Sequence, residues 1–131
     1  DRQALLAGIL DNTIDIITTD HNPIDIEHKK MEFDLAKNGT IGLESAFGAL
    51  MNVLPLEKVI EKLTSGKTVF GIESAAINEG ATANISLFNP EGENTFTKAA
   101  ILSKSKNSAF LGMQTKGNAY AQKNYFEGKK P

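Results

Sequence analysis

The chain has 131 residues, 40% of them hydrophobic and 23% charged, with 14 Lys and Arg against 16 Asp and Glu for a formal net charge of -2. That is enough length for one modest domain, and the charge balance carries no argument for nucleic acid or an anionic membrane surface. There is no cysteine, which excludes disulfides and thiolate metal sites and allows a reducing compartment, and no apolar run approaches the roughly 20 residues of a membrane span.

Arg2 to Asp11 reads as a short helix, with Leu5, Leu6, Ile9 and Leu10 on one face. Asp11-Asn12-Thr13 is turn chemistry. Ile14 to Thr19 is predicted to be a buried strand, and it ends abruptly in Asp20-His21-Asn22-Pro23. A parallel strand that delivers a carboxylate at its C-terminal end is the arrangement found at the mouth of a barrel. Such a carboxylate can ligate a metal or act as a general base; the alternative is an Asx-type turn in which Asp20 caps backbone N–H groups. Residues 24–40 are polar and irregular, with Asn38-Gly39 as a turn signal.

Leu43 to Leu54 has the spacing of an amphipathic helix, with Leu43, Phe47, Leu50, Met51 and Leu54 recurring every three or four residues. Pro55 suits the first turn of a second helix, whose Leu56, Val59, Ile60 and Leu63 share a face. Ser65-Gly66 ends it, and a shorter helix is expected over Lys67 to Phe70. After Gly71 the character changes. Gly80, Pro90, Gly92, Gly112, Gly117 and Gly128 punctuate short β-like runs. Strands are expected at Ala83 to Phe88, Thr95 to Thr97, Ala109 to Leu111, Asn118 to Gln122 and Asn124 to Phe126. The boundary between two structural parts is expected near residue 72.

Asp20 is the foremost candidate for chemistry. His21 and His28 are the only histidines. With Asp20 they could form a self-contained metal site, but three ligands need converging geometry that the loop does not guarantee. His21 reads rather as a structural or supporting histidine. The run Gly39 to Ser45 is glycine-rich before a helix. It lacks a Walker lysine and a GxGxxG pattern, so a turn and helix start is favoured over a phosphate cradle. Glu27 to Asp34, Lys104, Lys106, Lys129 and Lys130 read as solvated surface charge.

Several segments taken in order resemble one family. They are Asp1 to Leu5, Asp11 to Asp15, Thr19-Asp20-His21-Asn22-Pro23, Glu32 to Ala36, Gly39-Thr40-Ile41-Gly42-Leu43-Glu44-Ser45-Ala46, Gly80 to Pro90 and Ser103 to Gly112. Together they resemble the C-terminal part of dihydroorotase of the longer bacterial type, in the amidohydrolase superfamily. The resemblance implies an α/β chain in two parts. Residues 1–71 would end a metal-dependent (β/α)8 barrel, supplying its last strand and helices, and 72–131 would belong to a small β-sandwich.

The activity implied is the reversible, metal-dependent cyclisation of N-carbamoyl-L-aspartate to dihydroorotate in pyrimidine biosynthesis, in the cytoplasm. Asp20 matches the strand-eight aspartate that ligates metal and shuttles a proton. Asn38 and Gly39 match a substrate-holding loop. One or two zinc ions are implied, with an HxH pair, a lysine and two further histidines upstream of Asp1. The chain, which starts at Asp1, is therefore expected to be a piece of a longer protein, inactive alone and a weak zinc binder. A small-molecule substrate, a homodimer and a possible aspartate transcarbamoylase partner are also implied.

Departures from the pattern matter. Ile24 stands where a substrate-binding histidine is usual, Asn22 where a small residue is common, Asn38 where an aromatic is usual and Asn84 where an aspartate is usual. They fit two alternatives: a non-catalytic scaffold partner of aspartate transcarbamoylase, or a hydantoinase- or allantoinase-type enzyme with another ring substrate. In an isolated piece, the helices and β-rich tail are expected to pack together, with the edge of the 14–19 strand covered by a second copy or left disordered.

Overall fold

The computed structural model describes residues 1–74, 76–81 and 84–124. The first helix, α1 (Arg2–Leu10), ends at Asp11. The chain then turns through Asn12, whose φ of 67° lies in the left-handed region that asparagine tolerates. The Asn12 side-chain oxygen accepts from Lys58 Nζ at 2.7 Å and Lys62 Nζ at 2.9 Å. Both lysines lie on a later helix, α4 (Leu56–Thr64), which is thereby tied to the α1 turn. The expected apolar face of α4 is corrected in part. Val59 is fully buried, but its buried neighbour is Lys62, while Ile60 and Leu63 stay at the surface. Lys62 tolerates burial because its ammonium meets both Asn12 and the Glu61 carboxylate, at 3.2 Å.

The predicted strand Ile14 to Thr19 has no sheet partner among the described residues. It runs beside α4 instead. Ile17 N–H donates to Lys62 O at 3.0 Å, and the Asp15 carbonyl accepts from Ser65 Oγ at 3.1 Å. A ladder needs a neighbouring strand to exchange bonds with, and none is placed beside this run. A one-turn helix, α2 (Ile26–Lys29), follows, capped by the Asp25 carboxylate on His28 N–H. Next come α3 (Leu43–Met51), α4 and the short α5 (Gly66–Val69). These match the expected helices to within a few residues.

Beyond α5 the described residues form one antiparallel pair, β1 (Asn84–Thr95) and β2 (Gln114–Asn124). The strand expected at 83–88 is, from Asn84, part of a longer one, β1, which runs on to Thr95; of the strand expected at 95–97 only Thr95 belongs to it, and Phe96 and Thr97 lie beyond its end. The longer strand survives Pro90 and Gly92 because the register breaks there: Asn89 faces Asn118, and the next pair is Glu93 with Lys116. Proline lacks a donor and is accommodated at such a bulge. Ala109 to Leu111, expected as a strand, is a turn before β2, closed by Met113 N–H on Phe110 O. The expected strand at 124–126 lies outside the described residues beyond Asn124, as do Lys129 and Lys130.

The hairpin packs on α3. Phe47 and Phe88 rings meet at 4.9 Å between centroids, tilted by 54°. The Asn52 side chain plays the part of a strand backbone against β2. Its Nδ2 donates to Gln114 O at 2.7 Å and its Oδ1 accepts Lys116 N–H at 3.0 Å. A separate cluster of Ile41, Phe96 and Ile101, with Phe110 against it, forms the main apolar core. The accessible surface is 10028 Å², against about 6,700 Å² for a compact monomer of this mass. Phe33, Leu102 and Ile77 are all but fully exposed.

The contact between α3 and β2 leaves no room at Gly48: a Cβ there would stand 2.7 Å from Thr115 Cβ. Gly48→Ala should therefore destabilise the chain by about 1–3 kcal/mol, the usual cost of overpacking, despite alanine's better helix propensity. Urea denaturation checks this; equal or greater stability would show that the hairpin moves away from α3 freely.

Candidate functional site

Three segments converge around Asp20: the turn 19–24, the loop and helix start 39–44, and the segment 103–107. One close approach is at Gly42, where a Cβ would stand 3.0 Å from the Thr19 carbonyl oxygen. Gly42 is also the N-terminal cap of α3, and it has no side chain to satisfy the helix's first N–H groups. His21 supplies the cap from across the loop. Its Nδ1 accepts both Gly42 N–H and Leu43 N–H, each at 3.2 Å. Two amide donors on Nδ1 place the ring proton on Nε2, which lies 3.3 Å from Ser103 Oγ and donates to it. Ser103 passes the polarity on: its hydroxyl donates to Glu44 Oε1 at 2.5 Å, and its N–H to the same oxygen at 2.8 Å.

Burial raises the Glu44 pKa, but the Ser103 hydroxyl and N–H outweigh it and hold the carboxyl below the ordinary glutamate value. The second oxygen, Oε2, is buried without a hydrogen-bond partner among the described residues, 4.0 Å from His21 Nδ1. Asp20 itself is exposed and adopts φ 43°, in the left-handed region. It makes no side-chain hydrogen bond among the described residues, so the Asx-turn alternative, in which its carboxylate caps backbone N–H groups, finds no bond here.

Ile24 and Gly39 lie side by side. Gly39 has φ 136°, and a Cβ on it would meet Asn22 Nδ2 at 2.8 Å and Ile24 Cγ1 at 2.9 Å. Only glycine suits both demands. The Gly39 carbonyl accepts Asn107 Nδ2 at 2.9 Å, and the Ile24 carbonyl accepts Ser105 Oγ at 2.7 Å. Asn22 N–H donates to Thr40 O at 2.9 Å. Asn38, next to Gly39, is exposed. A cleft of about 810 Å³ opens beside Ile24, lined by Pro23, Ile26 and Leu111 and by Lys98, Lys104 and Lys106. Lys104 and Lys106 are exposed, as expected of surface charges, and they also line this cleft. The missed signal was the alternation Ser103, Ser105, Asn107, three small polar residues that stitch this segment to the site.

The two histidines do not join Asp20. His28 Nδ1 lies 2.6 Å from Asp25 Oδ2, and His21 is occupied as described. No group of three His, Asp or Glu side chains among the described residues could hold a metal ion. Asp20, with both oxygens uncommitted, fits as one ligand of a metal centre, and the other ligands would have to come from elsewhere.

No protein-family model matches the chain. It is 40% identical over 127 residues to a dihydroorotase of Endomicrobium trichonymphae, a match covering 91% of this chain and 30% of that protein. It is 37% identical over 124 residues to a dihydroorotase of Bacillus cereus (strain AH820), covering 89% and 29%. A dihydroorotase of Trichlorobacter lovleyi is 37% identical over 125 residues, covering 91% and 29%. The chain thus spans about 30% of the length of the curated relatives it matches. Among solved structures, a D-hydantoinase (dihydropyrimidinase) from Thermus sp. superposes with a TM-score of 0.80 at 21% identity, over 94% of this chain and 30% of that one. At that identity the likeness is one of fold.

Glu44→Gln tests the polar chain at the site. The variant keeps an acceptor for Ser103 but loses the charge, so a loss of about 1.5 kcal/mol is expected at pH 7, the low end for bonds to charged groups. Because the folded carboxyl titrates below its unfolded value, its contribution is complete above the unfolded pKa and fades as pH falls through the folded one. The difference between the two proteins should narrow as pH falls below the ordinary glutamate range. Denaturation curves at a series of pH values measure it; a gap that persists under acid would assign the effect to packing.

Proposed function

We propose that this chain, a relative of the dihydroorotases over nine tenths of its length, is the part of a dihydroorotase-type cyclic amide hydrolase that carries the strand-eight aspartate. The observation that carries the reading is the site's construction. A 40% identity to a dihydroorotase coincides with a turn in which the Asp20 carboxylate is uncommitted while His21, Asn22 and Ile24 are each tied down by hydrogen bonds. In this reading residues 1–71 end a (β/α)8 barrel and 72–131 belong to a small β-sandwich. The run 14–19 lacks strand partners here because its neighbours would be the other barrel strands. The exposed Phe33, Ile77 and Leu102 would face the remainder of the protein.

The reaction is the interconversion of N-carbamoyl-L-aspartate and dihydroorotate. Asp20 would ligate zinc, which when bound lowers the pKa of water and polarises the amide carbonyl. The Asp20 carboxylate takes a proton from the attacking water and returns it to the amide nitrogen as the ring opens. Gly39, with Asn38 before it, presents backbone groups to the substrate. Ile24 offers no hydrogen bond to the substrate carboxylate. The cationic side of the adjoining cleft, Lys98 and Lys104, supplies charge of the right sign; Lys106 Nζ is already committed to Ile101 O at 2.8 Å. The protein would act in the cytoplasm as a homodimer on a small molecule. No helix among the described residues is long and apolar enough to cross a membrane.

Ile24 also favours a second reading. Its apolar side chain packs on Gly39 where a polar contact would be wanted, as suits a non-catalytic partner of aspartate transcarbamoylase or an enzyme for a ring without that carboxylate. Steady-state kinetics of the full-length protein separate these. Asp20→Asn should lower kcat by about 10²–10⁴-fold, the range of a positioned general base. Ile24→His should lower KM for carbamoyl aspartate by about one to two decades. No turnover in the unmodified protein would favour the scaffold. Ordinary micromolar saturation unaffected by Ile24→His would assign the carboxylate contact to another residue.

A further inference from the structure

We propose that His21 is a positioning residue for Asp20: by capping α3 from across the loop, it holds the Asp20 turn in its left-handed backbone conformation. The proposal rests on the reading of Asp20 as the reacting carboxylate.

A non-glycine residue at φ 43° persists only where its surroundings over-determine it. Here the restraints lie immediately on both sides. Before Asp20, the Thr19 carbonyl is held against the Gly42 backbone, so close that a Cβ there would stand only 3.0 Å from its oxygen. After it, His21 is fixed at both ring nitrogens, by two N–H groups of α3 and by Ser103. Asn22 is fixed in turn through its N–H on Thr40 O. The Asp20 side chain makes no hydrogen bond among the described residues. Its orientation is therefore imposed by its neighbours' bonds, and among these neighbours His21 alone reaches both partner segments through its side chain.

The same geometry separates the two nitrogens by role. Nδ1 does the capping, and Nε2 links to Ser103. Asparagine can place its Oδ1 where Nδ1 stands, and so keep the cap while losing the link. Alanine loses both. A residue that merely filled space would not distinguish them.

The experiment uses the full-length protein and four variants: His21→Ala, His21→Asn, Ser103→Ala and Asp20→Asn. Three quantities are read: kcat and KM separately, zinc retained against a chelator, and exchange of the Gly42 and Leu43 amides. His21→Ala should lower kcat by about 10–100-fold, the usual effect of losing an orienting partner. KM should change little, zinc should be lost more readily, and both amides should exchange faster. His21→Asn should recover most of the kcat and the amide protection. Ser103→Ala, which leaves the cap in place, should fall between it and the unmodified protein, and it keeps the test decisive where His21→Ala does not fold. Unchanged kcat and zinc retention in folded His21→Ala, with Asp20→Asn inactive, would overturn the positioning role and leave the reading of Asp20 intact. An Asp20→Asn protein with full activity would overturn both.

Discussion

The rest of the site depends on one steric condition, the absence of a side chain at Gly42. Because no Cβ intervenes, the first turn of α3 can lie against the Thr19 carbonyl. The same absence leaves that helix without its own capping group, since glycine offers no side-chain acceptor. His21, two residues after Thr19, is thus brought within reach of the uncapped N–H groups and accepts two of them. Approach and cap are consequences of one choice of residue. Ser103 and Glu44 then extend the hydrogen-bonded chain into the segment that precedes β2.

The energetic character of the molecule follows from a thin core. Ile41, Phe96 and Ile101 are buried together, and Leu54 and Val59 are buried elsewhere, while many large apolar side chains face outward. Apolar burial at roughly 25 cal/mol per Å² is the main favourable term in folding. A chain that leaves so much of it unburied relies more on polar seams. Those seams are specific: Asn12 under two lysines, Asn52 on β2, and Asn107 and Ser105 on the site loops. A surface larger than a compact body of this mass would show suits a chain that spans about 30% of its relatives' length.

Much of the helical structure was legible because its signals are local. Pro55 before an amphipathic run, and Ser65-Gly66 after it, mark α4 without reference to anything distant. Legibility failed where the outcome is set by partners. Ile14 to Thr19 has strand composition, but a strand is defined by its neighbour, and here an α4 carbonyl takes the one bond that Ile17 offers. Lys62 is buried because of Asn12, fifty residues away, which no periodicity reveals. At the site, the family resemblance singled out Ile24 and Gly39 separately, while their contact with one another shows only in the structure. The capping role of His21 was not legible either, because it follows from what Gly42 lacks.

The register break at Pro90 bears on how the hairpin meets other chains. Asn52 covers part of the free edge of β2, and an uninterrupted edge on β1 would be a template for further strands. Between Asn89 and Glu93 the ladder skips, so β1 is not one straight run of donors and acceptors. Pro90 contributes no donor, and the Asn89 side-chain oxygen folds back to accept Glu91 N–H at 3.0 Å. An incoming strand could match the first half of β1 or the second, but not both in one register. The irregularity thus guards the ribbon against self-templated growth without a single charged side chain being required for it.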